Sequence, residues 1–245
     1  MSNSLRGAGL VAKRELGAYF NTVWGYAVVG ALLLVNGLLF NAYALGAGAQ
    51  LSTDVIERFF EFSSGVTMIA AVLLTIRLFA EERSTGTGVL LDGAPISQGS
   101  VVLGKYLSAL IFLGLMVAFT VYMPIMVMVN GKVSFGHVFA GYLGLLLLGS
   151  SAVAIGTLGS SLSQNQVVAG VTSGVVLVTL LLMWKLAQVA DPPLGGLFSY
   201  IALWDSHFRP FMEGRIPSES IVFHLSLTTA FLVVTTHVQA WRRSA

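Results

Sequence analysis

Six uninterrupted apolar runs, each about as long as a bilayer is thick, constrain this chain more than any other feature. They lie at about 24–43, 62–79, 103–129, 138–158, 167–186 and 221–239. A helix needs about 20 apolar residues to cross the hydrocarbon core, where unpaired backbone groups find no water. The runs are continuous rather than alternating, which argues against the strands of a membrane barrel. The expected fold class is an all-α integral membrane protein with six transmembrane helices, a single membrane domain over 1–245. The third run exceeds the required length and carries Pro124, whose missing N–H predicts a tilt or break there.

Composition agrees. Charged residues make up 10% of the chain, against about 25% in soluble domains, and mean hydropathy is +0.83. The absence of cysteine excludes disulfides, thiolate chemistry and cysteine-ligated metals. A net charge of +2 supplies no field for a nucleic-acid partner.

Orientation is read from Lys and Arg near the ends of the runs. Eight fall on the side of the termini (Arg6, Lys13, Arg14, Arg77, Arg83, Lys105, Arg242, Arg243) and five on the other (Arg58, Lys132, Lys185, Arg209, Arg215). Both termini are therefore expected in the cytoplasm. Ala42-Tyr-Ala44 and Ala47-Gly-Ala49 imitate signal-peptide cleavage sites, but the preceding segment and the apolar run are both too long. A retained first membrane helix is expected. Ahead of it, Leu5, Ala8, Ala12, Leu16 and Tyr19 share one helical face, with Arg6, Lys13 and Arg14 away from it. Residues 1–22 read as an amphipathic helix in the membrane interface or as a plain cationic anchor.

Two segments on the far side carry features. Asp54 and Glu57 have the spacing of an N-cap and its third residue, a helix start leading into the second run. Residues 188–220 mix Phe198, Tyr200, Trp204, Phe208 and Phe211 with Asp205, His207 and Arg209. That mix suits interfacial or re-entrant helices as well as it suits a loop anchored by aromatics.

The loop at about 81–100 is the least generic stretch. Glu81, Glu82 and Arg83 form a charged turn, Gly86 permits a tight one, Leu90 and Leu91 give an apolar patch, and Pro95 and Ser97 suit a helix restart. An apolar turn flanked by charges is a reasonable docking surface. Glu82-Arg83, Gly86-Thr87, Leu90-Leu91, Pro95-Ile96-Ser97 and Gly104-Lys105 together resemble the permease signature of the type-2 ABC transporter family. Many relatives carry an acidic residue where this chain has Val89. Lys13 to Phe20 with Gly25-Tyr26, and His207-Phe208 with Phe211 and Gly214 to Ile216, look like the gliding-motility branch.

The resemblance implies a permease subunit, identical or related to a second permease chain, that sits with it on two copies of an ABC ATPase. ATP and Mg would belong to that partner, with no cofactor, metal or catalytic residue in this chain. Residues Glu81, Glu82, Arg83, Gly86, Thr87, Leu90, Leu91 and Pro95 would form the ATPase coupling contact, and Ser163, Gln164, Asn165 and Gln166 a second one. Lys13, Arg14 and Tyr19 would belong to an elbow helix. The implied setting is the bacterial inner membrane, with room for an accessory extracytoplasmic subunit. On this reading Glu82 and Arg83 either make charge-assisted hydrogen bonds to the ATPase or brace the hairpin, and Glu82→Lys leaves the membrane spans intact while removing the docking.

Other signals are weaker. Gly99 to Tyr106 imitates a phosphate-binding loop, but Tyr106 stands where Ser or Thr would hold magnesium, and the segment enters a membrane helix. Lys105 reads instead as an anchor to headgroups. His137, His207, His224 and His237 show no metal spacing and read as interfacial. Gly170 and Gly174 form a G-x-x-x-G, and Ala152, Gly156 and Ser160 a second small-residue row, both suited to close helix packing. Asn36 and Asn41 read as structural hydrogen-bonding groups within the first run. A stand-alone secondary transporter or channel would show broken helices with paired charges at mid-depth. A membrane scaffold driven by ATP hydrolysis would share all the features above.

Overall fold

The structure, a computed structural model, describes residues 2–45, 51–86, 96–191 and 193–244. The described residues contain helices and no strand: α1 Ser2–Phe20, α2 Val23–Leu39 with a π-helical turn Phe40–Leu45, α3 Ser52–Thr75, α4 Ala80–Ser84, α5 Gln98–Phe119, α6 Tyr122–Asn130, α7 Phe135–Leu162, α8 Gln166–Val189, α9 Leu194–Ile201, α10 Arg209–Met212 and α11 Ser218–Ser244. Among them, six stretches are long and apolar enough to cross a membrane: Val23–Tyr43, Ser52–Ser84, Gln98–Val129, Phe135–Leu162, Gln166–Val189 and Ser218–Arg243.

The second stretch begins ten residues before the expected 62. Leu51 occupies the cap position, which leaves Asp54 inside the first turn, where a carboxylate favours the positive end of the helix dipole. The early start follows from Val55, Ile56, Phe59 and Phe60, all buried on one face. The third stretch breaks in two at Thr120–Val121. Pro124 has no N–H to offer the Thr120 carbonyl four residues back. Met123 N–H takes that carbonyl instead at 3.0 Å, and the Thr120 hydroxyl bonds the Tyr142 hydroxyl at 3.1 Å.

Helix α7 is the hub, with α3, α5, α8, α10 and α11 packed around it. Its small residues let neighbours approach: a Cβ at Gly156 would lie 2.9 Å from Thr75 Cβ. The small row that packs closely is thus Ala152, Gly156 and Ser160, all three buried. Gly170 makes only an ordinary contact with Ile76, and nothing lies within 4 Å of a Cβ at Gly174. The G-x-x-x-G of α8 is therefore not a packing seam within the chain. In α2, the Asn36 carboxamide oxygen accepts from the Ser63 hydroxyl at 3.0 Å, as a structural bond should, whereas Asn41 is exposed.

Beyond α8 the chain folds back along it. Leu203 N–H donates to the Leu180 carbonyl at 3.3 Å, about 13 Å from the end of α8 at 1.5 Å per residue. Trp204 Nε1 donates to Ser64 on α3 at 3.2 Å. Phe208 and Phe211 are buried in the bundle, so these aromatics anchor the segment to protein. His207 stacks on Phe223 at 3.7 Å and donates from Nε2 to the Tyr200 carbonyl at 2.8 Å. His224 is buried against Ser151 at 3.0 Å. These two histidines are internal to the protein, not interfacial, because the returning segment covers the start of α11.

Candidate functional site at the face of the termini

The small face of α1 lies on the first turns of α5. A Cβ at Gly7 would sit 3.3 Å from Ile96 Cγ2, and a Cβ at Gly104 would sit 2.6 Å from the Ala8 carbonyl oxygen. Ala8, Val11 and Ala12 are buried there, and Tyr19 stacks on Phe112 at 4.9 Å while its hydroxyl donates to the Leu74 carbonyl at 2.8 Å. The face expected to meet lipid therefore meets protein over most of its length. Leu5 alone of the five remains exposed.

Lys105, next to Gly104, is directed into this seam and is 1% exposed. A buried ammonium needs compensating charge. Its Nζ lies 3.2 Å from Glu15 and 2.8 Å from Glu82, and donates to the Leu78 carbonyl at 2.5 Å. Arg14 closes the ring, 2.5 Å from Glu15 and 3.0 Å from Glu82. Two cations and two anions from α1, α4 and α5 thus form a neutral cluster. Lys105 is not a headgroup anchor, because these carboxylates hold it inside the protein.

Burial pushes the Glu15 carboxyl up, but Lys105 and Arg14 outweigh it and leave it below its ordinary value. A depressed carboxylate stabilises the fold above its unfolded pKa and loses that contribution as pH falls through the folded value. Thermal stability should fall more steeply on acidification below the ordinary carboxylate range in the native protein than in Glu15→Gln. Parallel pH profiles would show that the pair contributes nothing.

The short helix α4 is held from behind. Ser160 on α7 accepts from Phe79 N–H at 3.0 Å and Ala80 N–H at 3.2 Å, capping α4 from another helix. Arg77 and Glu81 pair one turn apart at 2.5 Å. Arg83 donates to the Ser163 carbonyl at 2.6 Å, and Arg242 to the Leu162 carbonyl at 3.0 Å. The two loops expected to make separate contacts are thereby tied together and to the end of α11. Two residues beyond α4, Gly86 turns the chain with a φ of +71°, in the left-handed region that favours glycine.

This arrangement alters the roles expected of several residues. Glu82 and Arg83 take up the bracing alternative, and Glu81 pairs with Arg77 while staying partly exposed. Ser84, Thr85 and Gly86 are the exposed edge, beside Gln164 and Asn165. Ser163 is buried and donates to the Gly159 carbonyl at 2.7 Å. Asn165 caps α8, accepting from Val168 N–H at 2.9 Å, and Gln166 is its half-buried first residue. Lys13 and Arg14 are exposed, Arg14 through its share in the cluster only partly free of protein. Thr87, Leu90, Leu91 and Pro95 lie outside the described residues.

Sequence reasoning missed Glu15, Ser160 and the inward role of Lys105. Glu15 and Lys105 are 90 residues apart, and Ser160 is 81 and 80 residues from the N–H groups of Phe79 and Ala80 that it caps. The one available signal was an acid on an otherwise basic helix. The imitation phosphate loop from Gly99 to Tyr106 is helical throughout, so its backbone N–H groups form no cradle. Among the described residues no group of three or more His, Asp or Glu side chains could hold a metal.

A family model described as ABC-2 family transporter protein matches residues 23–213, well over half of the chain. No curated protein matches the chain.

Proposed function

The chain belongs to the ABC-2 transporter family and is a permease-type membrane component, and from that premise we propose that it couples ATP hydrolysis by a separate ATPase subunit to movement of its own helices. The observation that carries this reading is the braced loop. A connection between two membrane helices needs only a few polar residues, yet α4 is capped by Ser160, bridged to α1 and α5 by Glu82, and tied to the α7–α8 turn by Arg83. Such bracing makes the exposed edge Ser84–Gly86, with Gln164 and Asn165, a rigid lever: a displacement applied there reaches α3, α5 and α7 together.

In this proposal two ATPase copies hold ATP and Mg, and a second permease chain, identical or related, stands beside this one. The open side of Gly174 suits such a neighbour. The excess of Lys and Arg beside the termini supports a cytoplasmic face there, in a bacterial inner membrane. The gliding-motility likeness supports mechanical or assembly work as the output alongside export, and an accessory extracytoplasmic subunit would meet the α9–α10 side.

One experiment tests orientation and docking in the same cells. Cysteine at Gly196 should react with a membrane-impermeant thiol reagent, and cysteine at Ser84 should not. Gly86→Val and Gln164→Trp should accumulate at native levels while retaining less than about a tenth of the co-purified ATPase, a loss of about 1.4 kcal/mol or more of association. Native association by both variants would sink the docking surface, and labelling at Ser84 alone would invert the topology.

A further inference from the structure

Within α2 the buried residues are Gly25, Val28, Leu32 and Asn36, and only the last brings a polar side chain with it. Asn36 stands thirteen residues after Val23 and seven before Tyr43 in its span, about 20 Å and about 10 Å from the two ends at 1.5 Å per residue. Bulk water does not reach that depth, so the carboxamide must find its partners inside the protein. Its oxygen accepts from the Ser63 hydroxyl at 3.0 Å. Among the described residues the amide nitrogen, with two hydrogens to donate, has no acceptor, and the Thr67 hydroxyl has no partner either. Both residues are more than nine-tenths buried.

These two groups are not sealed in apolar packing. With Ser63 and Thr120 they line one cavity of about 20 Å³ where α2, α3, α5 and α7 meet, and its other walls are Leu, Val, Ala and Met side chains. The Thr120 hydroxyl donates to the Val117 carbonyl at 2.7 Å and meets the Tyr142 hydroxyl at 3.1 Å. A hydroxyl oxygen has two lone pairs, so Thr120 can still accept one more hydrogen bond. A donor without an acceptor, two hydroxyls with capacity to spare and the volume of one small molecule are thus gathered at one point inside the hydrocarbon core.

We propose that this cavity binds a single water molecule that seats α2 on the bundle, accepting from the Asn36 amide nitrogen and donating to the Thr67 and Thr120 hydroxyls. Size and chemistry both select it. A water needs about 10–15 Å³ of such space and two to four polar partners, whereas a wholly apolar cavity stays dry. The end of a lipid chain would fill the volume and satisfy none of the polar groups. A sodium ion would need lone pairs on every side, and the Asn36 nitrogen presents hydrogens instead. Thr120 lies at the break that Pro124 imposes between α5 and α6. The water therefore joins the first span to the second and to the one place where the third is discontinuous. The proposal rests only on the chain spanning a bilayer, and its failure leaves the ATPase coupling untouched.

The test uses the full chain in phosphatidylcholine liposomes. Solid-state NMR reads the transfer of magnetisation from water protons to protein amides, and thermal unfolding is measured in parallel. In the native protein the Asn36 side-chain amide should receive water magnetisation, while the backbone amide of Leu34, an exposed residue of the same helix at similar depth, receives none. Thr67→Val keeps the shape of the side chain and removes one partner of the water. It should abolish the Asn36 signal and lower the melting temperature by several degrees, the scale of one buried group left without its partner. Thr67→Ser, which keeps the hydroxyl, should retain the signal. A native Asn36 amide without water contact overturns the proposal, as does a signal that survives unchanged in Thr67→Val. A native melting temperature that rises in sodium over potassium buffer at equal ionic strength, and does so only while Thr67 is present, would place a cation in the cavity and overturn it equally.

Discussion

Glu82→Lys is expected to cost this protein its structure at the face of the termini, and Lys105→Met to do the same from the other side of the ion pair. Lys105 is fully buried and lies 2.8 Å from Glu82 and 3.2 Å from Glu15. Reversing Glu82 places a second ammonium against the first, with only Glu15 to offset two lysines and Arg14. Removing Lys105 instead leaves two carboxylates that share Arg14. Breaking a buried pair by deleting one partner costs about 3–5 kcal/mol, because the remaining charge stays desolvated. Both variants should unfold at markedly lower temperature in detergent and accumulate poorly in membranes. Glu82→Gln, which keeps a hydrogen-bond acceptor for Lys105, should lose much less. Adding Glu15→Gln to Lys105→Met should recover part of the loss by removing one unpaired anion. Native melting of Lys105→Met would dismiss the cluster as a stabilising element. The ion pairs of Glu82 favour its bracing role, so Glu82→Lys is expected to act on the fold as well as on docking.

A second large effect is expected at Gly104. The Cβ of any other residue would come within 2.6 Å of the Ala8 carbonyl oxygen and 2.7 Å of Val11 Cβ. The first of these is backbone, so no rotamer change relieves it. In Gly104→Val the whole of α1 must lift away from α5, and Glu15 and Arg14 go with it. Overpacking alone costs about 1–3 kcal/mol, and separation of the ion cluster adds to that. The expected result is rapid tryptic cleavage after Lys13 or Arg14 in the folded variant at a concentration that leaves the native chain intact, with a lowered melting temperature. Gly30→Ala is the matched control, since nothing lies within 4 Å of its Cβ and alanine is the better helix former by about 1 kcal/mol. Equal protease resistance in the two variants would show that α1 does not depend on this contact.

Much of the architecture was legible because its cause is local. Hydrocarbon forbids an unpaired backbone, so continuous apolar length by itself specifies a spanning helix. The starts and breaks followed similar rules at Pro124 and near Asp54. The helix start read at Asp54, leading through Phe59 and Phe60 into the second run, falls two residues from the observed start at Ser52. Packing on α7 adds where those side chains are buried, as Phe60 lies against Gly141 and Tyr142.

The candidate site was legible as a stretch and not as an arrangement. Its unusual charges and glycines stand out in any reading of residues 81–100, and the likeness to the permease signature rests on them. Whether Glu82 faces a partner or the protein depends on Lys105 and Arg14, which no periodicity brings near it. The same holds for Ser160, a small residue in a packing row by spacing, and a cap for α4 by position.

Sequence by itself determined the solvent of this protein, the number and order of its spanning helices and the loop that carries its family resemblance, because each follows from the free energy of placing short segments in lipid or water. Tertiary structure alone decided which charges pair inside and which edge remains outside. Electrostatic compensation of a buried ion is set by distance in space, and here the compensating groups come from α1, α4 and α5, the first of them well ahead of the other two in the chain.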